Sequence, residues 1–326
     1  MITEPDYFYE DVQKLLQEVG EVKLIEASMT NLLESIEDID VYLGSLELNL
    51  NEKVINIAKK LKIIGTPTTG LDHIDLTAAK NRNIKIISLK GDYEFIKEVD
   101  ATFEHTIALM LSLIRKIPFA FASVKNNSWE RKKFVGRELK HKTIGILGYG
   151  RLGRKVANIC SHFKMFVIVN DLNDINIKKD GFEFVSKEEL FRNSDILSIH
   201  IPLEESTVDL VDKEDLALMK SDSFIINTSR GKIINDEALL DALENGKIAG
   251  AAVDVLSTEN TPSHPYSNKL IEYAKKHDNL LITPHIAGST IESMRMTGLH
   301  IAKKVIEIIK KDYKKKRRKK NGKSNS

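Results

Sequence analysis

The stretch Thr143–Val156, TIGILGYGRLGRKV, sets three glycines, Gly148, Gly150 and Gly153, between a short apolar run and a helix-compatible basic run. The motif alone is weak and gains force from its context, where each glycine has its own task as a strand turns directly into a helix around a pyrophosphate. The first permits the tight turn, the second lets backbone approach the phosphates, and the third lets helix and strand pack closely. The helix N-terminus then supplies aligned N–H donors. The next apolar run, Lys164–Asp171 (KMFVIVND), reads as a second parallel strand whose last residue can accept hydrogen bonds from an adenosine ribose diol. An acid at Asp171 repels a 2′-phosphate, and the neighbours Leu172 and Asn173 offer no cation. The expected cofactor is therefore NAD in preference to NADP.

The loop lies mid-chain, so a folded unit must precede it. With 326 residues and 42% apolar content, two domains of about 150 residues each can build real cores. Beyond the loop, helical and strand-like segments alternate as in a doubly wound sheet. The expected strands are Ile144–Leu147, Met165–Val169, Ile196–His200, Phe224–Asn227, Ala249–Val255 and Leu280–Thr283, most of them apolar on both faces. Helix-prone stretches between them include Lys187–Arg192, Asp212–Met219 and Asn235–Asn245, the last with Asn235 as N-cap and Gly246 just past its end. The first hundred residues repeat the alternation on a smaller scale. There Pro5–Val19 is expected as helix, followed by apolar runs at Val22–Ile25, Val41–Leu43, Leu61–Ile64 and Ile84–Ile87. A helical segment Val99–Ile117, closed by Pro118, leads into the glycine-loop domain, and a C-terminal helix is expected over Ile291–Lys311.

The longest apolar run, Thr106–Ile114, is far shorter than the roughly 20 residues of a bilayer span, so no membrane helix is expected. The N-terminal MITEPDYFYEDVQ has early acids and no basic-then-apolar signal pattern, and Cys160 is the only cysteine, which excludes an intrachain disulfide. A cytoplasmic location is the default expectation, with Cys160 packing as a small apolar residue. The net charge of +2 hides an asymmetry: residues 310–326 carry ten Lys/Arg and one Asp, or +9, which leaves −7 on residues 1–309. Lys314–Lys320, KKKRRKK, could meet nucleic acid or an anionic membrane. A disordered, solubilising tail is the preferred reading, since no aromatic platform or nucleic-acid-binding motif accompanies it.

In an open parallel sheet, ligands bind beyond the carboxyl ends of the strands, so polar residues just after strands are the first suspects. Four segments qualify: His200 with Pro202, Thr228–Gly231, Asp254–Glu259 and Pro284–Gly288. Arg230 is a permanent cation suited to a carboxylate or keto oxygen, with a structural salt bridge as the other reading. His285 can exchange the proton that accompanies hydride transfer, or be a satisfied loop histidine. Glu259 can hold that imidazole in one tautomer, or be a solvated loop acid. No metal-ligand set is read from the sequence.

The ordered set of glycine loop, Asp171, Arg230, Glu259 and His285 resembles the D-isomer-specific 2-hydroxyacid dehydrogenases. The resemblance runs from about Leu61 to Gly288 through IGTPTTGLDHID (Ile64–Asp75), GRELKHKTIGILGYGRLG (Gly136–Gly153), HIPLEEST (His200–Thr207), IINTSRGKIINDEAL (Ile225–Leu239), AGAAVDVLSTE (Ala249–Glu259) and NLLITPHIAGST (Asn279–Thr290). It implies an α/β fold: a Rossmann-type doubly wound parallel sheet domain (residues 101–286) inserted into a smaller flavodoxin-like α/β substrate domain (residues 1–100 and 287–311), with 312–326 as the tail. It implies Arg230 as substrate-orienting cation, His285 as proton donor or acceptor and Glu259 as its partner. For the cofactor it implies the backbone of Arg151 and Leu152 at the pyrophosphate, Asp171 at the ribose, and Thr228, Asp254 and Gly288 at the nicotinamide end. His200, Pro202 and Thr207 belong to the same cofactor set. The Thr68, Thr69, Gly70 loop is implied as backbone holder of the substrate carboxylate, and a homodimer joined through the cofactor domain as the assembly.

The resemblance thus implies NAD-linked interconversion of a small 2-hydroxy acid and its 2-oxo acid. Three departures bear on the substrate. Asn260 stands where the family commonly has Pro, the first strand is clipped to Met1 and Ile2, and Ser45, Leu46 and Glu47 replace the Arg-rich segment of phosphoglycerate-type members. The last point counts against a D-3-phosphoglycerate dehydrogenase-type activity, which stays as one alternative. The other is a non-catalytic NAD-sensing binding protein that recruits partners, as in the family's corepressor branch.

Overall fold

A computed structural model describes residues 1–172, 182–259 and 268–322, with side chains described up to residue 314. The departure at Asn260 and the neighbour Asn173 fall outside the described residues. The chain forms two compact units, Met1–Val99 with Ser289–Ser326, and Asp100–Gly288. The expected boundaries, after residues 100 and 286, lie within two residues of these.

The first unit holds a parallel sheet of β1 (Val41–Leu43), β2 (Ile63–Gly65) and β3 (Lys85–Ile87). Single bridges extend it, because Ile2 pairs in parallel with both Leu24 and Leu43. Counting Ile2 and Leu24 as the first two strand positions gives the order 2-1-3-4-5, the flavodoxin-like arrangement. The clipped first strand is thus still used. The expected run Val22–Ile25 contributes only the Leu24 bridge, and the helix expected over Pro5–Val19 spans only Glu10–Gln17. On one face, Val12 and Leu16 of that helix pack with Ile301, Ala302 and Val305 of the C-terminal helix. This helix runs Ile291–Gly322, past the expected end at Lys311 and through most of the stretch read as a disordered tail. Lys and Arg are good helix formers, and cations are favourable in the last turns of a helix, so the basic run extends it. The apolar stripe does not go as far: Tyr313 is 69% exposed.

The second unit is a seven-stranded, all-parallel sheet. Its strands are β4 (Thr143–Leu147), β5 (Phe166–Asn170), β6 (Glu183–Phe184), β7 (Ile196–Ile199), β8 (Phe224–Asn227), β9 (Gly250–Val253) and β10 (Leu280–Ile282), in the order β10-β9-β8-β7-β4-β5-β6. The order reverses at β4 and β7, which makes the gap beyond their carboxyl ends the switch-point crevice of a Rossmann sheet. Strand periodicity splits the apolar residues between two cores. Ile144, Ile146, Ile196, Ile226 and Ala252 face the helices Ala101–Ile114 and Arg151–His162. Leu147, Leu197, Ile199, Ile225 and Val253 face the helices Lys187–Asn193, Lys213–Leu218 and Asp236–Glu244. Each such fully buried branched side chain contributes about 1.5–3 kcal/mol.

Asn235 caps its helix by accepting from the Ala238 amide, and Gly246 takes φ 61° beyond the end. Two other details differ from the sequence reading. The two-residue edge strand β6 carries too short a pattern to be read. The long segment expected over Val99–Ile117 breaks at Lys116, which takes φ 55°, and Pro118 opens a second helix, Ile117–Lys125, instead of closing the first. Proline suits a first helical turn, where its missing N–H costs no hydrogen bond. Cys160 is fully buried, and burial pushes its thiol up to about 12, so it stays protonated.

Candidate active site

The functional side chains of the second unit line one edge of the sheet, because every strand is parallel and each residue follows a carboxyl end. At the switch point the work is done by backbone. Gly148 takes φ +93°, and a Cβ there would sit 2.7 Å from the carbonyl oxygen of His200. A Cβ on Gly153 would lie 2.1 Å from the Gly148 carbonyl oxygen, so only glycine lets helix Arg151–His162 pack this close to β4. Gly150 is different: nothing lies within 4 Å of its Cβ position. It is the N-cap of that helix, and no side chain caps the helix start. Asp171 sits one residue past β5 and accepts from the Tyr149 amide at 2.7 Å, which places its carboxylate against the loop.

His200, at the end of β7, completes the crevice. Ser198 Oγ lies 2.8 Å from its Nε2, while Nδ1 is out of solvent with no hydrogen-bond partner among the described residues. Burial pushes its pKa down to about 3, so the ring is neutral. An uncapped helix start, a glycine with space for a ligand, an acid one strand away and a buried ring nitrogen free to bond fit a dinucleotide. Thr207 does not add to this set. Its hydroxyl lies 2.8 Å from the carbonyl of Pro202 and 3.1 Å from that of Glu204, so it is spent on its own loop.

Side chains take over at β8, β9 and β10. Arg230, Glu259 and His285 follow these neighbouring strands, whose last residues Asn227, Val253 and Ile282 are in register. His285 Nδ1 lies 3.0 Å from Glu259 Oε2, with the two side chains 24% and 16% exposed. His285 takes φ 53°, a conformation that costs a non-glycine residue about 1–2 kcal/mol. Its amide donates to the carbonyls of Asp254 (2.8 Å) and Thr283 (3.0 Å). Gly231 ties the Arg230 loop to the Glu259 loop, since a Cβ there would fall 2.0 Å from the Leu256 carbonyl carbon. Beneath Glu259, Asp236 accepts from Ser257 Oγ (2.5 Å) and Asn268 Nδ2 (2.9 Å). Burial raises the Asp236 carboxyl against the effect of those two bonds.

Asp254, read from the sequence as a cofactor residue, is an internal anchor here. It is 1% exposed and accepts from Thr283 Oγ1 (2.5 Å), the Ile286 amide (3.0 Å) and the Ala287 amide (2.8 Å). Burial alone would raise its carboxyl. Hydrogen bonds from His105, Thr283 and the two amides outweigh that and hold it below the ordinary range. Thr228, also read as a cofactor residue, is buried with its Oγ1 2.7 Å from Thr106 Oγ1. Gly288 is exposed at the end of the unit. His105 and Thr106 were not singled out from the sequence. The only signal for them was their place in an apolar helical run. Thr68, Thr69 and Gly70 belong to the first unit, just beyond β2, where Thr68 Oγ1 donates to the Gly70 carbonyl at 2.7 Å. Among the described residues no cluster of three or more His, Cys, Asp or Glu could hold a metal.

Residues 107–287, more than half of the chain, match the NAD-binding domain of the D-isomer specific 2-hydroxyacid dehydrogenases. The chain belongs to this family. Its Asp100–Gly288 unit is the family's NAD-binding domain. Among relatives, the D-3-phosphoglycerate dehydrogenase of Archaeoglobus fulgidus is 36% identical over 285 residues, covering 87% of this chain and 52% of that protein. The glyoxylate reductase of Thermofilum pendens is 35% identical over 300 residues, covering 90% and 85%. The crystal structure of D-lactate dehydrogenase from Aquifex aeolicus, complexed with NAD and lactic acid, matches with a TM-score of 0.81 at 27% identity over 96% of both chains. The chain spans about half the length of the D-3-phosphoglycerate dehydrogenases it matches.

Proposed function

We propose that the chain is an NAD-dependent oxidoreductase that interconverts a small D-2-hydroxy acid and its 2-oxo acid. The observation that carries this reading is the His285–Glu259 hydrogen bond at 3.0 Å, set at the strand ends of an NAD-binding domain. When bound, NAD supplies the hydride acceptor or, reduced, the hydride donor. His285 exchanges the proton of the substrate oxygen through Nε2, because Nδ1 faces Glu259. Glu259 fixes the ring orientation and the tautomer of the imidazole. Arg230 is assigned to the substrate as a permanent cation, and the backbone at Thr68, Thr69 and Gly70 to its carboxylate. Gly148, Gly150, Arg151, Leu152, Gly153, Asp171 and His200 are assigned to the dinucleotide.

The expected test variant is His285→Ala. Steady-state turnover should fall about 100-fold or more, while NADH binding followed by fluorescence is unchanged. Turnover near that of the wild type in this variant would remove His285 from the reaction.

A small unphosphorylated substrate is favoured by the segment after β1. Ser45 donates its amide to the buried Glu4 at 2.6 Å, and Glu47 lies close enough to raise Glu4 further. Burial, with that neighbour, raises Glu4 to about 7. Ser45–Glu47 holds one acid and no Lys or Arg, which makes it a poor place for a phosphate.

The homodimer is supported by an apolar face on the second unit. Ile117, Phe121 and Val124, spaced i, i+4, i+7 on one helix, are 50–64% exposed, and Trp129 and Val135 beyond them are 79% and 71% exposed. A monomer in sedimentation analysis would contradict it.

A further inference from the structure

His285 occupies a backbone conformation that persists only where the surroundings over-determine it. Its loop is held by one buried carboxylate, since Ile286 and Ala287 both donate their amides to Asp254. One of the groups that hold Asp254 comes from outside the sheet. His105, on helix Ala101–Ile114, sets its Nε2 3.3 Å from Asp254 Oδ1 and 3.1 Å from Thr283 Oγ1. The hydroxyl hydrogen of Thr283 is directed at Asp254, so its oxygen accepts, and His105 must carry its proton on Nε2.

The next residue of the same helical turn reaches the third strand end. Thr106 donates to the Thr102 carbonyl at 2.7 Å, which leaves its oxygen to accept from Thr228, two residues before Arg230. Two adjacent side chains on one rigid helix therefore hold the ends of β8, β9 and β10.

We infer that His105 is a positioning residue for the proton-transfer site: with Thr283 it fixes the Asp254 carboxylate, and through Asp254 it fixes the loop that presents His285. It touches neither His285 nor Glu259 in any hydrogen bond found among the described residues. Its effect is on where the imidazole stands, in the way that a displacement of about 1 Å remote from the chemistry can cost on the order of 100-fold in rate. The kinetic consequence rests on the proposed function, whereas the structural one does not.

The test uses the full-length chain and two readouts. In His105→Ala, hydrogen exchange at the Ile286 and Ala287 amides should accelerate about tenfold or more, with exchange in β4 and β7 unchanged. In the same variant kcat for 2-oxo acid reduction should fall between about tenfold and 100-fold. His105→Gln, whose amide nitrogen can replace the Nε2 donor, should restore both to within about threefold of wild type. Gln also serves as the informative variant if the Ala protein does not fold. Unchanged exchange at Ile286 and Ala287 in His105→Ala, or a folded Gln variant no better protected than Ala, would overturn the inference. If the wild type reduces no 2-oxo acid, the proposed function fails while the exchange measurement still decides the role of His105.

Discussion

At the carboxyl edge of the seven-stranded sheet, the ends of β4 and β7 are brought together by backbone, and those of β8, β9 and β10 by side chains. Around the switch point, Gly148 and Gly153 remove Cβ atoms that would strike carbonyl oxygens, and Gly150 leaves the helix start open. His200, in that half, is buried and neutral. On the next three strands the pattern reverses. A buried, ionised Asp254 accepts from side chains and amides together, and the His285–Glu259 pair sits above it. On the proposed function the two halves answer different needs. A pyrophosphate is met by close-packed N–H donors, whereas proton exchange needs a titratable group held in one place.

The comparison can be broken by substituting one glycine in each half. Gly231→Ala pushes a methyl group into the Leu256 backbone and separates the Arg230 and Glu259 loops. Its expected effect is a loss of about 100-fold in kcat with NADH affinity held within about threefold. Gly153→Ala pushes helix Arg151–His162 off β4. Here NADH affinity is expected to fall by up to about 100-fold, with kcat at saturating NADH retained. If both variants lose the same parameter, the two halves are not separable. Fluorescence titration and steady-state kinetics on the same preparations decide this.

A smaller effect sharpens the contrast in charge. The folded pKa of His200 is about 3 against about 6.5 unfolded. A base lowered in the folded state contributes stability above its unfolded pKa and loses it as pH falls toward the folded one. His200→Gln, which does not titrate, should therefore flatten the pH dependence of stability. Between pH 6.5 and pH 5 the wild type is expected to lose about 2 kcal/mol more than the variant, as measured by urea unfolding. Parallel curves would mean that His200 is not held neutral. Asp254, whose folded pKa is lowered, adds acid sensitivity as pH falls through the ordinary carboxylate value toward the folded one.

The backbone half was legible in the sequence, and the side-chain half only in part. The glycine loop requires contiguous residues around one turn, so Gly148, Gly150, Gly153 and the following acid can be read as a string. Arg230, Glu259 and His285 could be placed because each follows an apolar strand. Their support could not: His105 and Thr283 lie 178 residues apart and meet only through packing of a helix onto the sheet. The reading of Asp254 and Thr228 as cofactor residues, without their anchoring bonds, has the same cause, since a polar residue after a strand looks alike whether it faces a ligand or an inner anchor. At Lys116 the sequence pointed to Pro118 as the stop, while the break came from a left-handed residue that propensity does not mark. The extension of the last helix to Gly322 goes against the reading of the charge run as disordered, because the helix propensity of Lys and Arg outweighs it.

The most direct measurement is NADH oxidation by the wild-type chain against glyoxylate, hydroxypyruvate and pyruvate, with NADPH as the parallel donor and D-3-phosphoglycerate plus NAD in the reverse direction. Turnover on at least one unphosphorylated 2-oxo acid, with NADH preferred over NADPH, is the expected result. No turnover on any of them by protein that still binds NADH would contradict the assignment of the β8–β10 edge as a proton-transfer site.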